Sequence, residues 1–117
     1  MKHLYTIALI LCLSLPVAGV AASDNPEIDF LIDSIRTSQC SFTRNGTVHS
    51  PEKAADHLQM KYNKTKKYIK TADDFIEKLA TKSSWSGKPY TMTCKGVKQP
   101  SVTWLRSVLT DYRQSKL

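Results

Sequence analysis

Residues 40–58 read CSFTRNGTVHSPEKAADHL, and the fold turns on whether this stretch is a reactive site or a hairpin running into a capped helix. Backbone chemistry decides the local structure. Cys40 to Arg44 alternates and holds Phe42 and Thr43, as a strand does. Asn45-Gly46 follows, and both residues tolerate the positive φ that a two-residue hairpin turn demands. Thr47 to His49 is then the return strand. Ser50-Pro51-Glu52 supplies a hydroxyl cap, a proline in the first turn and an acid that the helix dipole favours. Ala55, Leu58 and Tyr62 make a narrow apolar stripe, so this helix is expected to end near Tyr62 or Asn63. Arg44, His49 and His57 have the chemistry to polarise a group and shuttle protons. The stretch offers no nucleophile, because Ser50 is committed to capping. It therefore reads as scaffold, with Arg44 expected to serve structure and His57 left open between scaffold and site.

Outward from this stretch the pattern stays helical. Asn25 caps a helix that starts at Pro26. Ile28, Leu31, Ile32 and Ile35 have the i, i+3, i+4, i+7 spacing of an amphipathic helix over 26–37. Thr71-Ala72-Asp73-Asp74 opens another helix with a capping-box pattern in which Asp replaces Glu, and Ala72, Phe75, Ile76 and Leu79 repeat the spacing. SSWSGKP, residues 83–89, ends it, because Gly87 and Pro89 break helices. Tyr90 to Cys94 reads as a strand and Lys95 to Pro100 as a turn-rich link. Ser101 is expected to cap a last helix carrying Leu105, Val108, Leu109 and Tyr112. No internal repeat is legible. The order predicts a small α+β domain, about four helices on a three-stranded antiparallel sheet.

The N-terminus reads MKHLYTIALILCLSLPVAGVAASDNPEI. Lys2, an apolar run from Leu4 to Leu15, Pro16 and then small residues describe a secretory signal peptide over 1–22, with cleavage after Ala22. The run is too short to span a bilayer comfortably, so no transmembrane segment is expected in the mature chain. Leu11 stands before Cys12 where lipidation needs a small residue. The remaining residues, 23–117, make one domain. Its two cysteines, Cys40 and Cys94, read as one disulfide in an exported protein, a staple from which so small a core benefits. Two cysteines and scattered histidines lack metal-ligand spacing, so neither metal nor cofactor is expected.

The chain carries 17 Lys and Arg against 10 Asp and Glu. Lys61, Lys64, Lys66, Lys67 and Lys70 cluster with no acid among them and with Tyr62 and Tyr68 interleaved. Export argues against nucleic acid as the partner. An envelope protein, an anionic envelope polymer or anionic lipid headgroups remain, beside the plainer reading of a solvated helix end. Ser83, Ser84 and Ser86 near Lys88 evoke a Ser–Lys hydrolase, but the S-x-x-K spacing is missing. Gly87-Lys88 lacks the earlier glycine of a P-loop and is followed by Pro89. Three serines, a glycine and a proline make a loop, and Trp85 beside a cation gives that loop some binding character.

FTRNGTVHSPEKAADHLQMKY, KTADDFIEKLATKSSWSGKPYTM and the late WLRSVL resemble the YfeK-like proteins, small exported bacterial proteins grouped as a domain of unknown function. The resemblance runs from about Glu27 to Arg113. Its motifs F-x-R-N-G, A-A-x-H-L-x-x-K, T-A-x-x-F-I and S-x-S-G-K-P-Y recur here in order. Asp74 stands where the family often has Glu, and Trp85 fills a variable slot. The resemblance implies an envelope or secreted location and no activity. It places Arg44, His57, Lys61, Ser86, Lys88 and Tyr90 within family motifs, as members of a buried polar network or as the lining of a groove. The leading expectation is a non-enzymatic periplasmic protein that binds a partner or an anionic envelope component. The alternative is a small hydrolase or transferase that uses the Ser83–Tyr90 loop with His57, which requires His57 and a loop serine within hydrogen-bond reach.

Overall fold

The computed structural model describes residues 25–117. The expected signal peptide, its cleavage point and Cys12 lie outside the described residues. Helix α1, Pro26–Arg36, begins under Asn25, whose Oδ1 accepts the N–H groups of Glu27 at 3.1 Å and Ile28 at 3.2 Å. Strands β1, Ser41–Arg44, and β2, Thr47–His49, follow, then α2, Pro51–Thr65, and a 3-10 turn over Lys66–Tyr68. Helix α3 is Ala72–Leu79, β3 is Thr91–Cys94, β4 is Val97–Pro100 and α4 is Ser101–Gln114. Thr71 caps α3 through Asp74 N–H at 3.0 Å, and the Asp74 carboxylate reaches back to Lys70 N–H at 3.0 Å. The α2 helix passes its expected end at Tyr62 or Asn63 and runs to Thr65, because Lys64 is a good helix former, no glycine or proline intervenes, and the Thr65 hydroxyl donates back to the Lys61 carbonyl at 2.6 Å.

The sheet has four strands, not three, in the order β2-β1-β3-β4, all antiparallel. The added strand is Val97–Pro100, which the sequence presents as a link. Its turn is Lys95-Gly96, with φ of 50° and 79°, against 51° and 79° at Asn45-Gly46. Both are hairpin turns with positive φ at both central residues, and glycine holds the second position of each. Lysine rarely adopts that φ, so the second turn carries no sequence signature.

A repeat that the sequence conceals is plain in the fold. Helix, hairpin and helix occur twice, α1-β1-β2-α2 and then α3-β3-β4-α4. The two hairpins are related by a shift of 50 positions, and β1 pairs with β3 about the Phe42↔Met92 couple. An approximate twofold axis therefore passes through that couple. Continuing the register one residue each way sets Cys40 opposite Cys94 at one end and Arg44 opposite Tyr90 at the other. The halves share almost no side chains at matched positions, which is why the repeat is not legible in the residues. The second half also carries a longer connection, residues 80–90, between its first helix and its hairpin.

Among the described residues the helices lie on one side of the sheet, α2 against β1 and α4 against β4, and α1 and α3 pack on those two helices. Even-numbered Phe42 and Met92 turn inward against them, while Ser41, Thr43, Thr91 and Thr93 face away. The α1 stripe lies at the centre, with Ile28, Leu31, Ile32 and Ile35 all buried. Phe75, Ile76 and Leu105 complete the core, and burying a side chain of this kind contributes roughly 1.5–3 kcal/mol. The expected disulfide between Cys40 and Cys94 is present, with a sequence separation of 54 and a Cα–Cα distance of 4.6 Å. Among the described residues no helix is long and apolar enough to cross a membrane.

Candidate functional site

At the end of the β1–β3 seam opposite the disulfide, four of the family-motif residues come together. Arg44 extends from the last position of β1. Tyr90 precedes β3, its ring buried and its backbone tied on both sides: its N–H donates to Thr81 O at 2.9 Å and its carbonyl accepts Ser101 N–H at 3.0 Å. His57 and Lys61 stand one turn apart on the same face of α2. The Arg44 Nη1 lies 2.9 Å from His57 Nδ1 and 3.0 Å from Nε2. The His57 ring meets the Tyr90 ring edge-on, with centroids 6.5 Å apart. Lys61 Nζ donates to the Leu79 carbonyl at 2.9 Å and to the Tyr90 hydroxyl at 3.2 Å. Lys61 thereby closes the C-terminal end of α3, where a cation complements the helix dipole.

Charge in this cluster is one-sided. Burial, then Arg44, Lys61 and His49, push the His57 pKa down to about 4. His57 is therefore neutral near pH 7 and accepts a hydrogen bond from the Arg44 guanidinium. Lys61 is lowered by burial first and by Arg44 second. Burial raises the Tyr90 phenol, opposed by Arg44. His49, at the end of β2, is lowered by burial, Arg44 and Lys53. Among the described residues no carboxylate forms an ion pair with Arg44, Lys53 or Lys61.

The cluster borders a pocket of about 40 Å³. Arg44, His49, Lys53 and His57 line its polar side, and Ile35, Leu58, Ala80 and Leu105 its apolar side; among the described residues no Asp or Glu lines it. Ser101 also lines it. The sequence assigns Ser101 to capping α4, but Pro100 holds the cap position and Ser101 is the first helical residue. Its hydroxyl is buried and has no hydrogen-bond partner among the described residues. Ser101 and Lys53 are the pocket residues that sequence reasoning missed. A serine at a helix start reads as a cap, and the proline just before it is the signal that it is not.

Ser86 and Lys88 are not part of this pocket. Ser86 Oγ donates to Asn45 Oδ1 in the β1–β2 turn, and Asn45 Nδ2 donates to Ser83 Oγ at 3.1 Å. Ser83 Oγ also accepts the N–H groups of Trp85 at 3.2 Å and Ser86 at 3.3 Å. These serines fasten the loop to the hairpin. Lys88 is exposed, and its backbone N–H rests on Ser86 Oγ at 3.2 Å. Among the described residues no hydrogen bond joins His57 to a serine of that loop. Trp85, 89% exposed, stands out from the loop into solvent. In the lysine cluster, Lys64, Lys66, Lys67 and Lys70 lie exposed while Lys61 turns inward; Lys66 and Lys67 ride over the rings of Tyr62 and Tyr68 at 5.4 and 5.7 Å. Among the described residues no cluster of metal-ligating side chains occurs.

Comparison with known proteins agrees with these motifs. The family of unknown function DUF5329 matches residues 22–113. A curated relative, the uncharacterized protein YfeK of Salmonella typhimurium, is 37% identical over 92 residues, covering 77% of this chain and 77% of that protein. No solved structure matches the chain significantly. The chain thus belongs to the DUF5329 family, of which the YfeK protein is a relative.

Proposed function

We propose that the protein is exported to the bacterial periplasm, begins there near Ser23, and captures an anionic group of an envelope component in the Arg44–His57–Tyr90 pocket without transforming it. The observation that carries this reading is the absence of any acid where cations converge. A structural network would place a carboxylate beside Arg44 and Lys61, the two partly buried cations, because like charges in a partly desolvated site repel. An incoming anion supplies the missing charge, and binding sites are commonly left short of optimal stability in this way. The leader pattern and the disulfide support export. Chemistry on the bound group has less support: His57 has no serine within hydrogen-bond reach in the neighbouring loop, and a histidine titrating near pH 4 is a weak base.

The test is a titration of the isotope-labelled protein with simple anions, phosphate and acetate, at constant ionic strength. Amide shifts confined to Arg44, His57 and Ser101, and lost in Lys53→Gln, support the reading. Shifts spread only over Lys64, Lys66 and Lys67 would move the anion to the exposed surface and overturn it.

A further inference from the structure

The two halves of the fold begin their last helices differently. α2 starts under Ser50, whose Oγ accepts Lys53 N–H at 3.2 Å. The counterpart of Ser50 in the second half is Pro100, which offers α4 no side-chain cap. Beyond Ser101, whose N–H is taken by the Tyr90 carbonyl at 3.0 Å, the first turn of α4 has no side-chain acceptor. The Ser101 hydroxyl, 3% exposed as a residue, is buried at the same point, lines the pocket and has no partner. Buried hydroxyls without partners are rare and call for an explanation. A helix N-terminus and an unused donor thus meet in the pocket that Arg44 enters. The wall beside them is aliphatic: Ile35, Leu58, Ala80 and Leu105.

We infer that this pocket is a seat for a carboxylate carried on a short aliphatic stem. The Arg44 guanidinium and the Ser101 hydroxyl hold the carboxylate at the N-terminus of α4, and the stem lies on Leu58 and Leu105. The inference rests on the anion-capture reading above and specifies its ligand. A planar guanidinium fork matches the two oxygens of a carboxylate. The positive end of α4 adds attraction. A phosphate, with four oxygens to satisfy, would leave some of them against aliphatic carbon. The cavity of about 40 Å³ holds roughly three water positions at 10–15 Å³ each, so it encloses the acid group and about one adjoining carbon, leaves the rest of a short stem at its mouth and has no room for a long acyl chain. Two sources have this chemistry: a free short-chain acid, and the C-terminal alanine or valine of a peptide.

The experiment titrates the labelled protein with sodium butyrate, N-acetyl-alanyl-alanine, butylamine and inorganic phosphate at constant ionic strength. The Ser101 amide and the Arg44 side chain are expected to shift with butyrate or the dipeptide and not with butylamine. Tighter binding of butyrate assigns the free acid, and tighter binding of the dipeptide assigns a peptide terminus. Ser101→Ala is expected to weaken binding about tenfold while leaving the melting temperature of the free protein unchanged or raised. Unaltered affinity in that variant overturns the role of Ser101. Phosphate binding to the pocket in place of both carboxylates overturns the carboxylate seat and leaves anion capture standing. No shift with any anion sinks both.

Discussion

Arg44 and Tyr90 face each other across the β1–β3 seam as the twofold counterparts of Cys94 and Cys40. One end of the seam is closed by a covalent bond and the other by a cation, a phenol and a pocket. The same backbone geometry brings two side chains of adjacent strands together at both ends. What differs is the chemistry placed there, so the staple and the candidate site invite separate tests.

The staple is expected to matter for stability alone. Replacing both Cys40 and Cys94 with serine should cost roughly 2–4 kcal/mol, since the bond closes a long loop in the unfolded chain. Denaturant melts of the oxidised, reduced and double-serine proteins measure this. Coincident melts would mean that the bond contributes nothing to the fold.

Arg44 and Lys61, neighbours in one cluster, should respond oppositely to loss of charge. Lys61 caps the α3 carbonyl of Leu79 and meets the Tyr90 hydroxyl, so Lys61→Met leaves two part-buried groups unpaired and should cost about 1–3 kcal/mol. Arg44→Met keeps the aliphatic stem and relieves repulsion on Lys61, which offsets the hydrogen bond lost at His57, so stability should stay within about 0.5 kcal/mol or rise. A loss of more than about 2 kcal/mol for Arg44→Met would return Arg44 to the scaffold role expected from sequence. Lys64→Glu and Lys67→Glu are the exposed controls and should barely move either melt.

Acid should weaken the protein above the range where most carboxylates titrate. His57 is depressed from an ordinary 6.5 to about 4. Below pH 6.5 the unfolded chain takes up a proton that the folded chain refuses, so stability falls as pH drops through this window and levels off below about 4. His57 is only partly buried, so the loss is expected to be on the order of 1 kcal/mol rather than the full linkage value. His49 adds to it in the same direction. Melts of the wild type and of His57→Gln between pH 7 and 5 check the slope, which should flatten in the variant.

The second hairpin turn offers a stabilising change. Lys95 sits at φ 50°, where asparagine is tolerated far better than lysine. Lys95→Asn should add about 0.5–1 kcal/mol, read from the denaturant midpoint at unchanged slope.

That turn also explains which parts of the fold were legible. Asn45-Gly46 announces its hairpin through residue type. Lys95-Gly96 makes the same turn with half the signal, and Val97 is the only strongly β-favouring residue of the short β4. The caps at Asn25, Ser50 and Thr71 were readable because each places an oxygen ahead of a helix. Ser101 was misread on the same rule, since only Pro100 takes the cap position from it. Arg44, His57, Lys61 and Tyr90 could be gathered by their motifs. Their convergence at one end of the seam depends on the twofold pairing, which leaves only a faint trace in the residues, such as Gly46 with Gly96 and Tyr62 with Tyr112. Ser83 and Ser86 read as loop residues, but their ties to Asn45 are not legible, because a serine-rich loop looks the same whether its hydroxyls are free or bound.

The twofold relation also bears on the order in which the chain is made. The join between α2 and α3, through the exposed 3-10 turn, has as its counterpart the approach of the end of α4 to the start of α1. There Arg113 grips Glu27 with two hydrogen bonds of 2.7 and 2.9 Å. A circularly permuted chain, linked by a short flexible segment across that approach and opened near Tyr68, would present the second half to the ribosome first and still meet every native neighbour. Such a permutant is expected to fold with the seam between the halves intact, its disulfide at one end and its pocket at the other, which its melt and non-reducing peptide map would check.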